Sequence, residues 1–360
     1  MAVKIENLSF LYPNSRRGLE DVNLNIKAGR KTAILGVNGS GKSTLLYHLN
    51  GISLAQAGSV EVLNMNVEKK NLGEIRRQVG FLFDYPDHQL FSTTVYKDIK
   101  FGLDNYKYPE EEKKALIRKV AEDLKIDDLL EYPPYQLSLG QKKKVAIAGL
   151  IVLEPSIILC DEPFSGLDGY TLIYFKELLD YWVGRGKTVI FSTHDVDLTY
   201  EWADDVVILK YGKVIKTGTT SEILTNEEIY KEADLVKPML YDMFADKKEK
   251  PRSIEEAKKY LSNHDLKHNS LIITILYKEE KNELKAGKYL FHFGASPDET
   301  MDVGFIRMGA NVTDLDHHAS HLMVTDKETI KQESEFEAKP DYAYTFEMNE
   351  DHGHINFTIA

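Results

Sequence analysis

Residues 36–43 carry three glycines, a lysine and a serine at the spacing of a phosphate-binding loop. The segment reads GVNGSGKS and matches the pattern G-x-x-x-x-G-K-S. Glycines adopt backbone conformations that other residues resist, so such a loop can turn its N–H groups toward a phosphate. It lies between the apolar run KTAIL (31–35) and the helical pattern STLLYHLNG (43–51), which places the phosphate at a helix N-terminus. The residues therefore predict a site for a nucleoside triphosphate.

Three side chains of this loop have separate predicted roles. Lys42 is expected to reach the β- and γ-phosphates, and the Ser43 hydroxyl is expected to ligate Mg²⁺. Thr44 is expected to assist at the α-phosphate. The predicted nucleotide-binding residues of the loop are Gly36, Asn38, Gly39, Ser40, Gly41, Lys42, Ser43 and Thr44.

Two carboxylates end a second apolar run, SIILCDEP (156–163). Such a run fits a central parallel strand whose C-terminal tip carries chemistry. Asp161 is expected to hold Mg²⁺ through water, and Glu162 is expected to polarise the attacking water. The alternative is an ordinary strand with acidic surface residues. The segment SGLD (165–168) and a further apolar run ending at His194 both follow, and they favour the catalytic interpretation.

The elements that must position these residues alternate along the chain. Residues 1–30 predict short strands, and residues 31–85 predict the first half of an α/β nucleotide core. Residues 90–150 are helical in pattern, and residues 151–225 return to alternating strands and helices. We predict three parts, which are an ATPase domain (1–225, with its helical part at about 90–150), a helical C-terminal extension (226–264) and an acidic accessory domain (265–360).

Composition narrows the class of protein. The chain has 360 residues and a net charge of −12. An acidic chain without a stripe of lysine and arginine residues is not expected to bind nucleic acid. It has no apolar run of about 18 residues, the length expected to span a bilayer, and its first residues lack a signal-peptide layout. Its single cysteine, Cys160, gives no disulfide and fits a reducing compartment.

The last hundred residues differ from the rest. Residues 265–360 hold nine basic and eighteen acidic residues, and short apolar runs there predict a small α+β or β domain. Eight of the eleven histidines lie in residues 264–360. Because imidazole suits Ni²⁺, Co²⁺ and Zn²⁺, the group His317, His318 and His321 is a tentative transition-metal site. Solvated loop histidines in an acidic domain are the alternative, and no Cys/His zinc spacing is present.

Four segments together resemble a known family, the ATP-binding cassette (ABC) subunits of energy-coupling factor (ECF) importers, and within it the cobalt/nickel branch. The resemblance covers residues 1 to about 262. The segments are LLYHLNGI (45–52), RRQVGFLFDYPDHQLFSTTVYKDIKFG (76–102), LSLGQKKKVAIAGLIVLEP (137–155) and STHDVDLTYEWADDVVIL (192–209).

This resemblance implies a fold and further site residues. The fold would be an ABC ATPase, with a RecA-like P-loop core, an antiparallel β subdomain and a helical subdomain. His194 would contact the γ-phosphate, and Tyr12 would stack on adenine, although an aromatic near a strand end is often plain core. Ser138, Gly140 and Gln141, in the signature segment LSLGQ (137–141), would bind the γ-phosphate held by a second subunit.

Two positions depart from the family pattern. Asp84 stands where the family has a glutamine, and its carboxylate can still coordinate Mg²⁺ or a bound water, but it is one methylene shorter and cannot donate a hydrogen bond. Leu139 replaces the first glycine of the usual L-S-G-G-Q, which we interpret as a trait of the cobalt/nickel branch.

The function expected from this resemblance is ATP hydrolysis, with Mg²⁺, that powers import of Co²⁺ or Ni²⁺. The implied partners are a second ATPase subunit, identical or different, a membrane-embedded permease or coupling subunit and a substrate-binding membrane subunit. The chain would then lie at the cytoplasmic face of the cell membrane. A vitamin importer of the same architecture is the alternative within the class. A soluble ABC ATPase with a regulatory role is the alternative outside it, although such proteins usually carry two cassettes and this chain has one set of motifs.

Overall fold

A computed structural model of the chain describes residues 1–263, apart from 107, 168 and 246, and several strands beyond them. Side chains are described up to residue 260, apart from these three residues and 258. The backbone forms two compact units, Met1–Pro238 and Met239–Ala360. The division falls inside the predicted extension at 226–264, and the predicted domain boundaries remain predictions.

The strands of the first unit are β1 (Val3–Leu11), β2 (Arg17–Ile26), β3 (Lys31–Leu35), β4 (Ala57–Val62), β5 (Met65–Asn66), β6 (Val79–Leu82), β7 (Ile157–Cys160), β8 (Thr188–Thr193), β9 (Asp205–Lys210) and β10 (Lys213–Thr219). Its helices are α1 (Lys42–Asn50), α2 (Leu72–Gln78), α3 (Val95–Asp104), α4 (Glu110–Asp123), α5 (Leu139–Ile151), α6 (Gly169–Gly184), α7 (Val196–Trp202), α8 (Thr220–Ile223) and α9 (Glu227–Ala233).

The central sheet of this unit has the strand order β10-β9-β3-β8-β7-β6. Neighbouring strands from β9 to β6 pair in parallel, and β10 adds an antiparallel edge. Every residue of β7 and β8 is buried, which explains why these strands have apolar runs rather than alternating patterns. Because parallel strands end at one edge of the sheet, the segments that follow β3, β7 and β8 lie side by side there.

A second, antiparallel sheet has the order β2-β1-β4-β5. Strand β2 alternates buried and exposed residues along Val22–Ile26, as expected for a sheet with one face packed on a core. Its buried side chains share one apolar cluster with those of α1 and the central sheet. The α/β core and the antiparallel layer predicted from the sequence are both confirmed.

Helices α3, α4 and α5 pack around a second apolar cluster. In α4, Ile117 and Ala121 lie one turn apart and are fully buried, which confirms the helical spacing of this stretch. Helix α5 begins directly after Ser138, whose side chain accepts a hydrogen bond from the backbone N–H of Gln141. This capping fixes the start of α5 within the signature segment.

Cys160 ends β7 and is fully buried. Burial in the apolar sheet raises the pKa of its thiol to about 12. The thiol is therefore protonated and unreactive in the folded protein.

The second unit begins with α10 (Met239–Met243) and α11 (Ile254–Asn263). Phe244 and Ala257 form the centre of a small apolar cluster here. The strands described beyond these helices form antiparallel pairs. They are β11 (Asn269–Lys278), β12 (Leu284–Phe293), β13 (Val303–Arg307), β14 (His321–Thr325), β15 (Tyr344–Asn349) and β16 (His354–Ile359). No helix in the described part of the chain is long and apolar enough to cross a membrane.

Candidate functional site

The loop between β3 and α1 leaves a helix N-terminus open. Gly41 precedes α1 with φ of 108°, a conformation that favours glycine, and no side chain caps the helix there. The first N–H groups of α1 are therefore available to an anion. Gly36 is fixed by close packing, since a Cβ atom at this position would lie 2.3 Å from the carbonyl oxygen of Leu209. The glycines thus shape the loop in two different ways.

Lys42 directs its side chain back over this loop. Its Nζ atom donates to the carbonyl oxygens of Gly36, at 2.8 Å, and Val37, at 3.4 Å. The same atom lies 3.4 Å from Oε1 of Glu162, which follows β7. The side chain of Lys42 is only 6% exposed, so its ammonium is held at the site rather than in bulk solvent. A buried cation in this place can neutralise phosphate charge.

A cavity of about 270 Å³ opens at this edge of the sheet. Residues predicted from the sequence to bind nucleotide or metal form most of its wall. The lining residues are Tyr12, Arg16, Arg17, Gly18, Asn38, Gly39, Gly41, Lys42, Ser43, Thr44, Asp84, Asp161 and Glu162. Within the predicted phosphate-binding loop, Gly36 and Ser40 do not line it, and Ser40 is buried. His194 is also absent from the lining residues.

Asp161 is a buried carboxylate beside the Ser43 hydroxyl. Burial raises the pKa of Asp161, and hydrogen bonds from Ser192 and Ser43 oppose that effect. The Ser192 hydroxyl donates to Oδ1 of Asp161 at 2.5 Å and accepts from the backbone N–H of Glu162 at 2.9 Å. Ser192 therefore fixes both acidic residues, and the sequence analysis did not assign it a role. A small polar residue directly after the apolar run VIF (189–191) was the available signal.

Glu162 and His194 meet at the ends of neighbouring strands. His194 Nδ1 lies 3.1 Å from Oε1 of Glu162. This hydrogen bond raises the pKa of His194, while partial burial opposes the increase. Glu162 itself has φ of 43°, in the left-handed region that non-glycine residues rarely adopt. The Glu162 carboxylate thus lies between two basic side chains, Lys42 and His194. Its unfavourable backbone conformation requires surrounding contacts that stabilise it.

Asp84 follows β6 and faces the same cavity. Its Oδ1 accepts a hydrogen bond of 2.8 Å from the backbone N–H of Tyr85 and lies 3.9 Å from Nδ1 of His88. Asp84, Asp161 and Ser43 supply the hard oxygen atoms that Mg²⁺ prefers. Among the described residues no group of three or more His, Cys, Asp or Glu side chains forms a complete metal site.

Tyr12 lines the opening of the cavity. Its hydroxyl lies 2.7 Å from Oγ1 of Thr44, and its ring meets that of Phe10 edge to face at 5.2 Å. The hydrogen bond orients Tyr12 beside α1, and the ring is half-buried rather than part of the core. A flat aromatic surface in this place can stack on a planar base.

The signature segment lies elsewhere in the same chain. Ser138, Gly140 and Gln141 are absent from the residues that line the cavity. Gly140 instead faces Thr171, and the side chain of Leu139 is 40% exposed. One chain therefore does not bring the signature segment to its own phosphate-binding loop.

The side chains of the three histidines predicted to bind a transition metal all lie outside the described part of the structure. His317 and His318 lie outside the described residues. His321 begins β14, where the backbone alone is described. The metal site predicted for this group stays a prediction.

Known proteins share this chain's sequence and fold. The ABC transporter family model matches residues 19–165. The energy-coupling factor transporter ATP-binding protein EcfA of Carboxydothermus hydrogenoformans is 44% identical over 267 residues, which are 72% of this chain and 97% of that protein. EcfA of Methanosphaera stadtmanae is 41% identical over 244 residues, covering 67% of this chain and 88% of that protein.

Two solved structures are similar to this chain over somewhat less than two thirds of its length. The structure of cbiO1 from Clostridium perfringens, part of the ABC transporter complex cbiONQ, is 37% identical with a TM-score of 0.57. It covers 65% of this chain and 94% of that one. The dimeric ATP-binding cassette MJ0796, bound to ADP and Pi, is 29% identical with a TM-score of 0.56, covering 61% and 98%.

Proposed function

Because the chain belongs to the family of energy-coupling factor transporter ATP-binding proteins, we propose that its ATPase activity powers uptake of Co²⁺ or Ni²⁺ through membrane-embedded partners. ATP binding and hydrolysis are properties of the family and of the ABC fold. Our proposal concerns three further points, which are the roles of individual residues, the metal cofactor and the transported ion.

The position of Glu162 is the single observation that carries the proposed chemistry. Its carboxylate lines the cavity, within 3.4 Å of Lys42 Nζ and 3.1 Å of His194 Nδ1. With ATP in the cavity, Lys42 neutralises the β- and γ-phosphates, and His194 contacts the γ-phosphate. Glu162 accepts a hydrogen bond from the attacking water and polarises it. The water oxygen then bonds to the γ-phosphorus as the bond to the bridging oxygen breaks, ADP leaves with that electron pair, and the proton that the water loses passes to the Glu162 carboxylate.

Mg²⁺ fits the oxygen-rich side of the cavity. Ser43, Asp161 and Asp84 are the residues that would hold it, directly or through water. When bound, the ion would neutralise charge that develops on the phosphates. Asp161 is buried and hydrogen-bonded to Ser192, so it can keep one orientation as nucleotides enter and leave.

Asp84→Gln is expected to keep ATPase activity within a few-fold of the parent protein. The glutamine restores the residue that the family has here, and its carbonyl oxygen can still meet Mg²⁺ or a bound water. Steady-state ATPase assays over a range of Mg²⁺ concentrations measure this, with Asp84→Ala as the comparison that lacks the oxygen. Complete inactivity of Asp84→Gln would mean that the site depends on the carboxylate itself, against the proposed equivalence.

Two copies of the ATPase fold complete each other's sites in this proposal. Ser138, Gly140 and Gln141 of one subunit would bind the γ-phosphate held by Lys42 of the other. The capped N-terminus of α5 gives these residues a fixed geometry for that contact. The second subunit is a copy of this chain or a related ATPase.

A surface near Asp84 supports docking to a membrane-embedded coupling subunit. Tyr85, Phe91 and Phe101 are each more than half exposed, and the rings of Phe91 and Phe101 meet edge to face at 4.8 Å. Exposed aromatic side chains of this kind mark interaction surfaces. Docking here would hold the chain at the cytoplasmic face of the cell membrane and would link Asp84 to the permease.

The transported species is proposed from the sequence. The run HDVDLTYEWAD (194–204) and Leu139 resemble the cobalt/nickel branch of the family. A vitamin importer is the closest alternative. Co-expression with the membrane partners, followed by uptake assays with radioactive Co²⁺, Ni²⁺ and vitamins, distinguishes them. A chain that hydrolyses ATP but co-purifies with no membrane partner in that experiment would instead support a soluble regulatory ATPase.

We propose that the histidine group at 317–321 senses metal. Because neutral imidazole is the ligand, the full-length protein should bind Ni²⁺ or Co²⁺ near pH 7.5 and lose it below about pH 6.5. Isothermal calorimetry of the parent protein and of the triple variant His317→Ala, His318→Ala, His321→Ala measures the difference. Equal binding by both proteins would remove this group as the site.

A further inference from the structure

Lys143 is a buried cation that the proposed mechanism does not use. It lies on α5, two residues after Gln141, and is only 1% exposed. Its Nζ atom donates to the carbonyl oxygen of Pro163 at 2.9 Å and to that of Ser165 at 2.6 Å. The lysine therefore joins the helix of the signature segment to the loop that directly follows Glu162.

Burying an ammonium group is unfavourable unless it is well hydrogen-bonded. Burial lowers the pKa of Lys143 to about 8, and the charges of Asp84 and Glu162 oppose the decrease. A methionine or leucine would fill the same space without this cost. An apolar side chain could not form the two hydrogen bonds that Lys143 donates, and both of these bonds are to carbonyl groups of one short loop.

That loop must hold Glu162 in an unfavourable conformation. Left-handed backbone angles persist in non-glycine residues only where surrounding contacts fix them. On one side of Glu162, its N–H donates to the Ser192 hydroxyl. On the other side, Ser165 N–H donates to the carbonyl oxygen of Glu162 at 3.2 Å and closes a turn, in which the carbonyl oxygens of Pro163 and Ser165 accept from Lys143.

We propose that Lys143 is a positioning residue for Glu162. It holds the turn at 162–165 against α5, so that the carboxylate of Glu162 stays where it can polarise the attacking water. This inference rests on the proposed role of Glu162. Lys143 does not line the nucleotide cavity, so it acts on hydrolysis and leaves ATP binding to other residues.

A second contact supports the link between helix and loop. A Cβ atom on Gly166 would lie 3.0 Å from Cδ2 of Leu139, so the first residue of α5 already packs closely against the end of the turn. The helix thus meets the loop at Leu139 and again at Lys143, one turn further along. Any displacement of the signature segment by a second subunit's nucleotide would be passed to Glu162.

The test compares Lys143→Met with Lys144→Met. Methionine fills the space of lysine without hydrogen-bond donors. Lys144 is the matched control, because it is the next residue of α5, but its ammonium lies 4.4 Å from the centre of the Tyr174 ring. We expect Lys143→Met to lower kcat about 10- to 100-fold, the scale of a catalytic group displaced by about 1 Å, and to leave the Kd for ATP unchanged. Lys144→Met should keep the parent kcat.

Lys143→Gln and a double variant complete the experiment. Glutamine keeps two N–H donors, so it should recover part of kcat. In Glu162→Gln/Lys143→Met, single-turnover rates should equal those of Glu162→Gln alone, because both changes act through one carboxylate. The inference would be overturned if the double variant were slower than Glu162→Gln by the factor that Lys143→Met alone causes. It would also be overturned if Lys143→Met kept the parent kcat.

Loss of ATP binding in both Lys143 variants would also overturn it, because the residue would then serve the fold rather than Glu162. The proposed function fails separately. If Glu162→Gln alone hydrolyses ATP at the parent rate, the role of Glu162 is wrong. If Glu162→Gln is inactive and Lys143→Met is fully active, only the positioning role is wrong.

Discussion

Glu162→Gln is expected to bind ATP and to hydrolyse it at least about 100-fold more slowly, the scale of a positioned general base. The amide keeps the shape of the side chain but polarises water far less than a carboxylate does. It also removes the charge that lies 3.4 Å from Lys42, so affinity for ATP should be kept or increased. With hydrolysis blocked, ATP should hold two subunits together.

Three measurements check this result. Phosphate release gives the rate, a fluorescent ATP analogue gives the Kd, and size-exclusion chromatography with ATP detects the dimer. Glu201→Gln is the control, because Glu201 pairs with Lys176 at 2.7 Å on the surface and is 42% exposed. Hydrolysis by Glu162→Gln at the rate of this control would contradict the assignment of Glu162.

Lys42→Ala is expected to lose ATP affinity itself, by about 10- to 150-fold if the lysine makes one charge-assisted hydrogen bond to phosphate, and by more if it makes two. The Lys42 side chain is 6% exposed, and its ammonium already lies over the loop, where it donates to the carbonyl oxygen of Gly36. Alanine leaves the phosphates without this charge. It also leaves Glu162 without its nearest lysine, which further disfavours a polyanion in the cavity.

Equilibrium binding of ATP and ADP measures the effect. Lys70→Ala is the control, since Lys70 is 76% exposed and pairs with Glu68. Lys42→Ala should also bind AMP nearly as well as the parent does, because the lost contacts involve the β- and γ-phosphates. Parent-like affinity for ATP would show that the backbone of the loop and the helix N-terminus suffice, and that Lys42 serves a later step.

The sequence predicted best those parts of the site that are contiguous or that end parallel strands. The loop at 36–43 could be assigned because its glycine, lysine and serine spacing lies between an apolar run and a helical pattern that are contiguous with it in the sequence. Glu162 and His194 could each be assigned because they follow apolar runs, and the parallel pairing of β7 with β8 brings them together in the structure. Asp84 was placed through resemblance to the family, and the structure puts it in the same cavity.

Contacts that depend on tertiary packing could not be predicted in this way. Lys143 meets carbonyl groups 20 and 22 residues further along the chain, and only the seating of α5 against that turn brings them together. In the sequence it is one of three consecutive lysines, which suggests a solvated face. The contacts of Ser192 depend on tertiary packing in the same way. Its hydroxyl reaches Asp161 and Glu162 only because β8 lies beside the end of β7.

The single cysteine gives this protein a built-in reporter of its own opening. Cys160 is fully buried one residue before Asp161, so a thiol reagent can reach it only when the central sheet separates. Its labelling rate therefore measures the stability of the strand that carries the acidic residues, and saturating ATP should slow it by mass action. A cysteine introduced on the surface would react first. A variant with one added surface cysteine can thus carry a site-specific fluorophore without replacement of Cys160 in the core.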